Sequence, residues 1–155
     1  MLKRRQFTDP LRVTRRDYSV LLRGFIVWLV IIFAEFLHGT ARIIWLEPLV
    51  GDFRARQISV FTGSVMILAI ALIFIRWIRA TSAAQLLQVG LLWLVLTVGF
   101  EILLGRLVMQ LSWQRILSDY NLLQGGLMPI GLLILTLGPI LAAKLKRLDP
   151  MHSKQ

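Results

Sequence analysis

The chain has 155 residues, 57% of them hydrophobic, and 18 Lys and Arg against 8 Asp and Glu give it a formal charge of +10. A soluble domain averages about 45–50% apolar residues; here the excess is gathered in long runs, which excludes a soluble globule and points to an all-α integral membrane protein. The basic residues sit at the ends of those runs, where they signal topology and anionic headgroups rather than nucleic acid, and the lack of cysteine excludes disulfides, iron–sulfur clusters and thiolate zinc sites.

Residues 1–23 form a basic segment carrying Lys3, Arg4, Arg5, Arg12, Arg15, Arg16 and Arg23. Residues 10–22 read as a short amphipathic helix lying on the membrane surface, on the cytoplasmic side. A transmembrane domain follows over 24–143, with spans expected at about 24–46, 58–75, 83–111 and 120–143. Each meets or approaches the ~20 residues a helix needs to cross hydrocarbon. Short connections make sequence neighbours antiparallel, so the expected architecture is an up-down four-helix bundle.

Boundary residues agree with this division. Pro48 and Gly51 interrupt the chain after span one. Ser82 with Gln85 reads as a capping box opening span three, and Ser118 and Asp119 read as N-caps for span four. Trp45, Trp77 and Trp113 fall at the expected span ends, as interfacial tryptophans do. Residues 144–155 make a basic tail with Lys144, Lys146, Arg147 and Lys154. The tail, the N-terminal segment and the Arg76/Arg79 link concentrate positive charge on one side. By the positive-inside rule both termini are cytoplasmic, in a membrane of the bacterial inner type.

The halves of the chain resemble each other. At an offset of 66 residues Gly24 meets Gly90, Glu35 meets Glu101 and Gly39 meets Gly105; one residue further, Asp52-Phe53 meets Asp119-Tyr120. Two hairpins of equal orientation would form a parallel repeat about an axis along the membrane normal. Glu35 and Glu101 would then lie at equal depth on equivalent helices.

An ionised group at the bilayer centre costs at least about 2.5–3.5 kcal/mol on insertion scales, so both acids are expected to face inward, protonated or paired. Glu35, His38 and Arg42 follow the i, i+3, i+7 spacing of one helix face. With Glu101 and Arg106 they make the candidate intramembrane polar site, and the expected cross-helix pairs are Glu35 with Arg106 and Glu101 with Arg42. Asp52, Arg54, Arg56, Arg115, Asp119 and Tyr120 are the candidates in the two outer links, where the alternative roles are helix caps and headgroup anchors. A single imidazole, His38, makes neither a metal nor a haem site with these neighbours, so no cofactor is expected.

No phosphate loop, zinc-protease helix or Ser-x-x-Lys pattern is present, and no named enzymatic chemistry is supported. Three functions remain open. One is a proton-linked transporter or channel, working as a homo-oligomer because four spans are few for a pathway. Another is a non-catalytic accessory, assembly or regulatory subunit of a larger membrane complex. The third is a lipid-binding or lipid-modifying protein at the outer leaflet.

Overall fold

The computed structural model describes residues 15–146. Every regular element among them is helical, and four helical stretches are long and apolar enough to cross a membrane: Asp17–Val50, Asp52–Ile78, Ala83–Val108 and Met128–Leu145. The order is α1 (Arg15–Ala41), a π-helical turn (Arg42–Leu46), α2 (Glu47–Val50), α3 (Asp52–Ile78), α4 (Ala83–Leu103), a second π-helical turn (Leu104–Val108), α5 (Trp113–Tyr120), a 3₁₀ turn (Leu122–Gln124) and α6 (Met128–Leu145).

Of the expected surface helix, residues 10–14 lie outside the described residues, as does the tail from 147. From Arg15 the chain is already α1, and it passes Gly24 without a break. Its first turns are tied to the other helices. Val20 is buried in the core, and Asp17 accepts a 2.7 Å hydrogen bond from the Gln85 amide of α4. A segment held in this way packs as part of the first long helix rather than lying apart from it.

Ser82 caps α4 as its sequence indicates, accepting from the Gln85 backbone N–H at 3.2 Å. The returning half of the motif is displaced by one residue, since the Gln85 side chain accepts from the Thr81 backbone N–H at 2.7 Å. The fourth long helix departs from expectation. Ser118 and Asp119 do not cap it; they lie in the last turn of the short α5, whose own cap is Ser112. The long helix begins only at Met128, with Pro129 in its first turn. Between them Gly125 adopts φ +82° and turns the chain. The apolar stretch from residue 120 onward is thus divided between a loop and a helix.

Two tryptophans fix α1 against α4. Trp28 Nε1 donates to Thr97 Oγ1 at 3.0 Å, and Trp93 Nε1 donates to the Gly24 carbonyl at 2.8 Å. Both links join residues 69 apart in sequence, so α1 and α4 run parallel in one register. A buried indole N–H needs such a partner, and Gly24 leaves its carbonyl within reach. On the other side α3 and α6 also run parallel. Gly131 faces Val60, and Gly138 faces Ile67 and Ala71. The half of the molecule near the α3–α4 turn is a dense apolar core that includes Val27, Ile31, Ala71, Ile75, Trp93 and Leu135. The outer surfaces of all four long helices are studded with exposed large apolar side chains, among them Phe33, Phe61, Val65 and Val95.

Gly90 lets α4 approach α6 closely. A Cβ there would collide with the backbone carbonyl of Thr136, which cannot step aside as a flexible side chain does. Gly90→Ala is expected to cost about 2–3 kcal/mol through overpacking. Gly99→Ala adds its methyl to open space and leaves stability unchanged or slightly raised. Thermal unfolding of both variants in detergent checks the contrast; equal losses would contradict this helix contact.

Candidate functional site

A cavity of about 410 Å³ lies between the long helices in the half of the molecule that carries α5. Glu35, His38, Arg42 and Glu101 of the intramembrane set line it, together with Arg56 and Asp119 of the outer set. Its deeper wall is apolar, with Ile31, Ile67 and Leu135, and leads to the closed core.

The Glu35–His38 spacing on α1 places the two side chains together, with His38 Nδ1 3.5 Å from Glu35 Oε2. The other ring nitrogen, Nε2, is 2.8 Å from Thr62 Oγ1 on α3. The Thr62 hydroxyl is itself within donating distance of the Ile58 carbonyl at 3.2 Å. With that proton given to Ile58, Thr62 accepts from His38 Nε2–H; with the hydroxyl turned to the ring, Thr62 donates to Nε2 and the ring carries its proton at Nδ1, facing Glu35. The second arrangement directs a ring N–H at the carboxylate, so Glu35 and His38 are placed to share a proton.

Glu35 Oε1 is buried with no hydrogen-bond partner. It packs against Gly63 of α3, where a Cβ would lie 2.9 Å from it. Gly63, one helical turn past Ser59 in the spacing of a small-residue packing face, is what allows a carboxylate on α1 to lie flat against α3. Glu101 on α4 takes a different partner: Tyr120 Oη donates to Glu101 Oε2 at 3.0 Å. Burial, and next the Glu101 charge, raise the Tyr120 pKa above its ordinary value, so its hydroxyl remains a donor.

Neither arginine pairs with an acid of the spans as expected. Arg42 turns to Asp52, 4.0 Å away, because Gly51 reverses the chain and brings the start of α3 beside it. Arg106 sits in the π-helical turn after α4, donates to the Leu111 carbonyl at 2.6 Å and stacks over the Trp113 ring at 5.0 Å. It does not line the cavity. Arg54 is exposed and also lies outside it.

The other outer candidates form an ion-pair lattice across α3 and α5. Arg115 reaches Asp52 at 2.8 Å and Asp119 at 3.5 Å. Arg56 reaches Asp52 at 3.2 Å and Asp119 at 3.0 Å. Gln57 ties the following loop to α3 by donating to the Gly125 carbonyl at 3.0 Å. Gly126 leaves no room for a side chain against the Ser118 and Asp119 carbonyls. Thus α5 and its loop are clasped over the polar end of the cavity. Thr62 and Gln57 are the site residues that sequence patterns do not single out as functional, since each matters through a contact with another element. Among the described residues no group of three His, Cys, Asp or Glu side chains is arranged to hold a metal ion.

Comparison with protein-family models, with curated proteins and with solved structures gave no match.

Asp119 gives the lattice a pH signature. Burial raises its pKa above the ordinary value of 3.8, against the lowering effect of Arg115. The folded protein then keeps the Asp119 proton at pH values where the unfolded chain has lost it. The group's contribution to stability falls as pH rises from 3.8 through the raised folded value. Asp119→Asn removes this component. The difference in Tm, wild type minus variant, is expected to decline with rising pH across that window; a flat or rising difference would contradict the assignment.

Proposed function

We propose that this chain is a four-span integral membrane protein, an up-down helical bundle with both termini cytoplasmic in a bacterial inner membrane, that works as a proton-linked carrier in oligomeric form. The observation that carries this reading is the meeting of Glu35, His38 and Glu101 in one cavity, with the first two placed to share a proton. Ionisable groups inside an apolar layer are rare and costly, and they mark proton relays and substrate paths. The closed apolar core beyond Ile31, Ile67 and Leu135 argues for alternating access over an open pore. The parallel α1–α4 and α3–α6 relations support an internal duplication, the architecture in which a site lies between repeats.

The same closed core favours a second reading. A single chain has no path through it, which suits a non-catalytic subunit that binds a ligand or a partner membrane protein without transport. A lipid-modifying role has less support, because Asp52, Arg56, Arg115 and Asp119 are engaged with one another.

Liposome reconstitution separates the first two readings. The carrier reading expects a pH gradient to collapse faster with the protein than in empty vesicles. Glu35→Gln and Glu101→Gln should slow that collapse at least tenfold, with size-exclusion elution and helicity unchanged. Wild-type rates in both variants contradict the carrier reading, and no acceleration by the wild type favours the binding subunit.

A further inference from the structure

The charges around the cavity are segregated. Arg42, Arg56 and Arg115 are all directed at Asp52 and Asp119, so the two carboxylates of the α3–α5 clasp hold three guanidinium groups away from the deeper acids. Among the described residues no guanidinium or ammonium group pairs with the two deeper acids. Glu35 has only the His38 ring, at 3.5 Å, and Glu101 has only the neutral Tyr120 hydroxyl. Two carboxylates therefore share a half-open cavity of about 410 Å³ with the His38 imidazole beside them. Moreover, Glu35 Oε1 and Ser59 Oγ, both at this cavity, lack any hydrogen-bond partner, as do Arg42 Nη1 and Arg56 Nη1 at its polar end. One turn deeper the wall becomes apolar at Ile31, Ile67 and Leu135.

We propose that this cavity binds a small amphipathic amine, its protonated nitrogen between Glu35 and Glu101 and its apolar body against Ile31, Ile67 and Leu135. The inference deepens the carrier reading by naming its substrate class, and it stands equally on a site that binds without transporting. An ammonium group supplies what the site lacks, a positive charge with several N–H donors for the carboxylates and for Ser59. A buried acid left without a counter-charge is expensive, so a ligand that supplies one gains affinity beyond its apolar contacts. An anion in the deeper part would meet the two acids, and the open donors Arg42 Nη1 and Arg56 Nη1 lie instead at the clasp, beside Asp52 and Asp119. A neutral body of the same shape would keep the apolar contacts and leave the carboxylates uncompensated. The volume sets the size, since about 410 Å³ falls at the small end of ordinary ligand cavities, about 300–1,000 Å³.

The test is calorimetric titration of the full chain in phosphatidylcholine nanodiscs, with empty nanodiscs as blanks. The probes are 2-phenylethylamine, its neutral isostere 2-phenylethanol and the anion phenylacetate. The amine is expected to bind saturably, one per chain and at least tenfold more tightly than the alcohol, with no saturable binding of phenylacetate. Glu35→Gln and Glu101→Gln should each weaken the amine at least tenfold and leave the alcohol within about twofold. Equal affinity for amine and alcohol overturns the proposal, as does tighter binding of phenylacetate or the absence of saturable amine binding. If the variants misfold, the wild-type comparison of amine with alcohol decides alone. Amine binding without acceleration of pH-gradient collapse would overturn the carrier reading only; acceleration without amine preference would overturn the ligand assignment only.

Discussion

A carboxylate carried on an apolar helix has to be enclosed by protein, and in this molecule the contact that encloses Glu35 is its close approach to Gly63. Much of the polar half of the structure is arranged around that contact. Because α3 presents no side chain there, α1 lies against it with the acid between them. Thr62, the neighbour of Gly63, then comes within 2.8 Å of the His38 ring. The imidazole is thereby held toward Glu35, with both side chains about a quarter exposed.

The remaining elements complete the enclosure. The tryptophan links from α1 to α4 set the register that brings Glu101 to the same cavity. The loop between α5 and α6 could not close over that cavity without the sharp turn at Gly125 and the bare backbone of Gly126. Arginines at the polar end are occupied by Asp52 and Asp119, which leaves the deeper acids without permanent counter-charges. The far half is packed tightly by Val27, Ala71, Ile75 and Trp93. A polar chamber closed at one end by apolar packing and latched at the other by ion pairs suits binding followed by a change in access.

Long apolar runs made the helices legible in the sequence, and the Ser82 cap and the Glu35–His38 pair were legible because each depends on neighbours three residues apart. Placing both acids in one cavity was legible from their matched spacing behind Gly24 and Gly90. The Glu–Arg pairs were not, because depth along a helix says nothing of direction around it. Arg106 lies in a π-helical turn that changes that direction, and Arg42 is claimed by the nearby start of α3. α5 was hidden because Leu122, Leu123 and Leu127 continue the apolar character of α6 into a loop. The Ser59–Gly63 spacing marked a close helix contact, but which helix it meets, and with it the role of Thr62, was concealed by apolar residues on the other sides of α3.

The central claim is that the acids share one chamber, open toward the α5 end and closed by apolar packing at the other. The chain has no cysteine, so single substitutions report cleanly. Ser59→Cys at the chamber and Ala71→Cys in the closed core can be challenged with a small charged thiosulfonate, added to either face of sealed vesicles of known orientation. The account predicts that Ser59→Cys reacts faster from the face carrying α5 than from the other, while Ala71→Cys reacts far more slowly than Ser59→Cys from either. Equal rates for Ser59→Cys from the two faces, or reaction of Ala71→Cys as fast as Ser59→Cys, would contradict it.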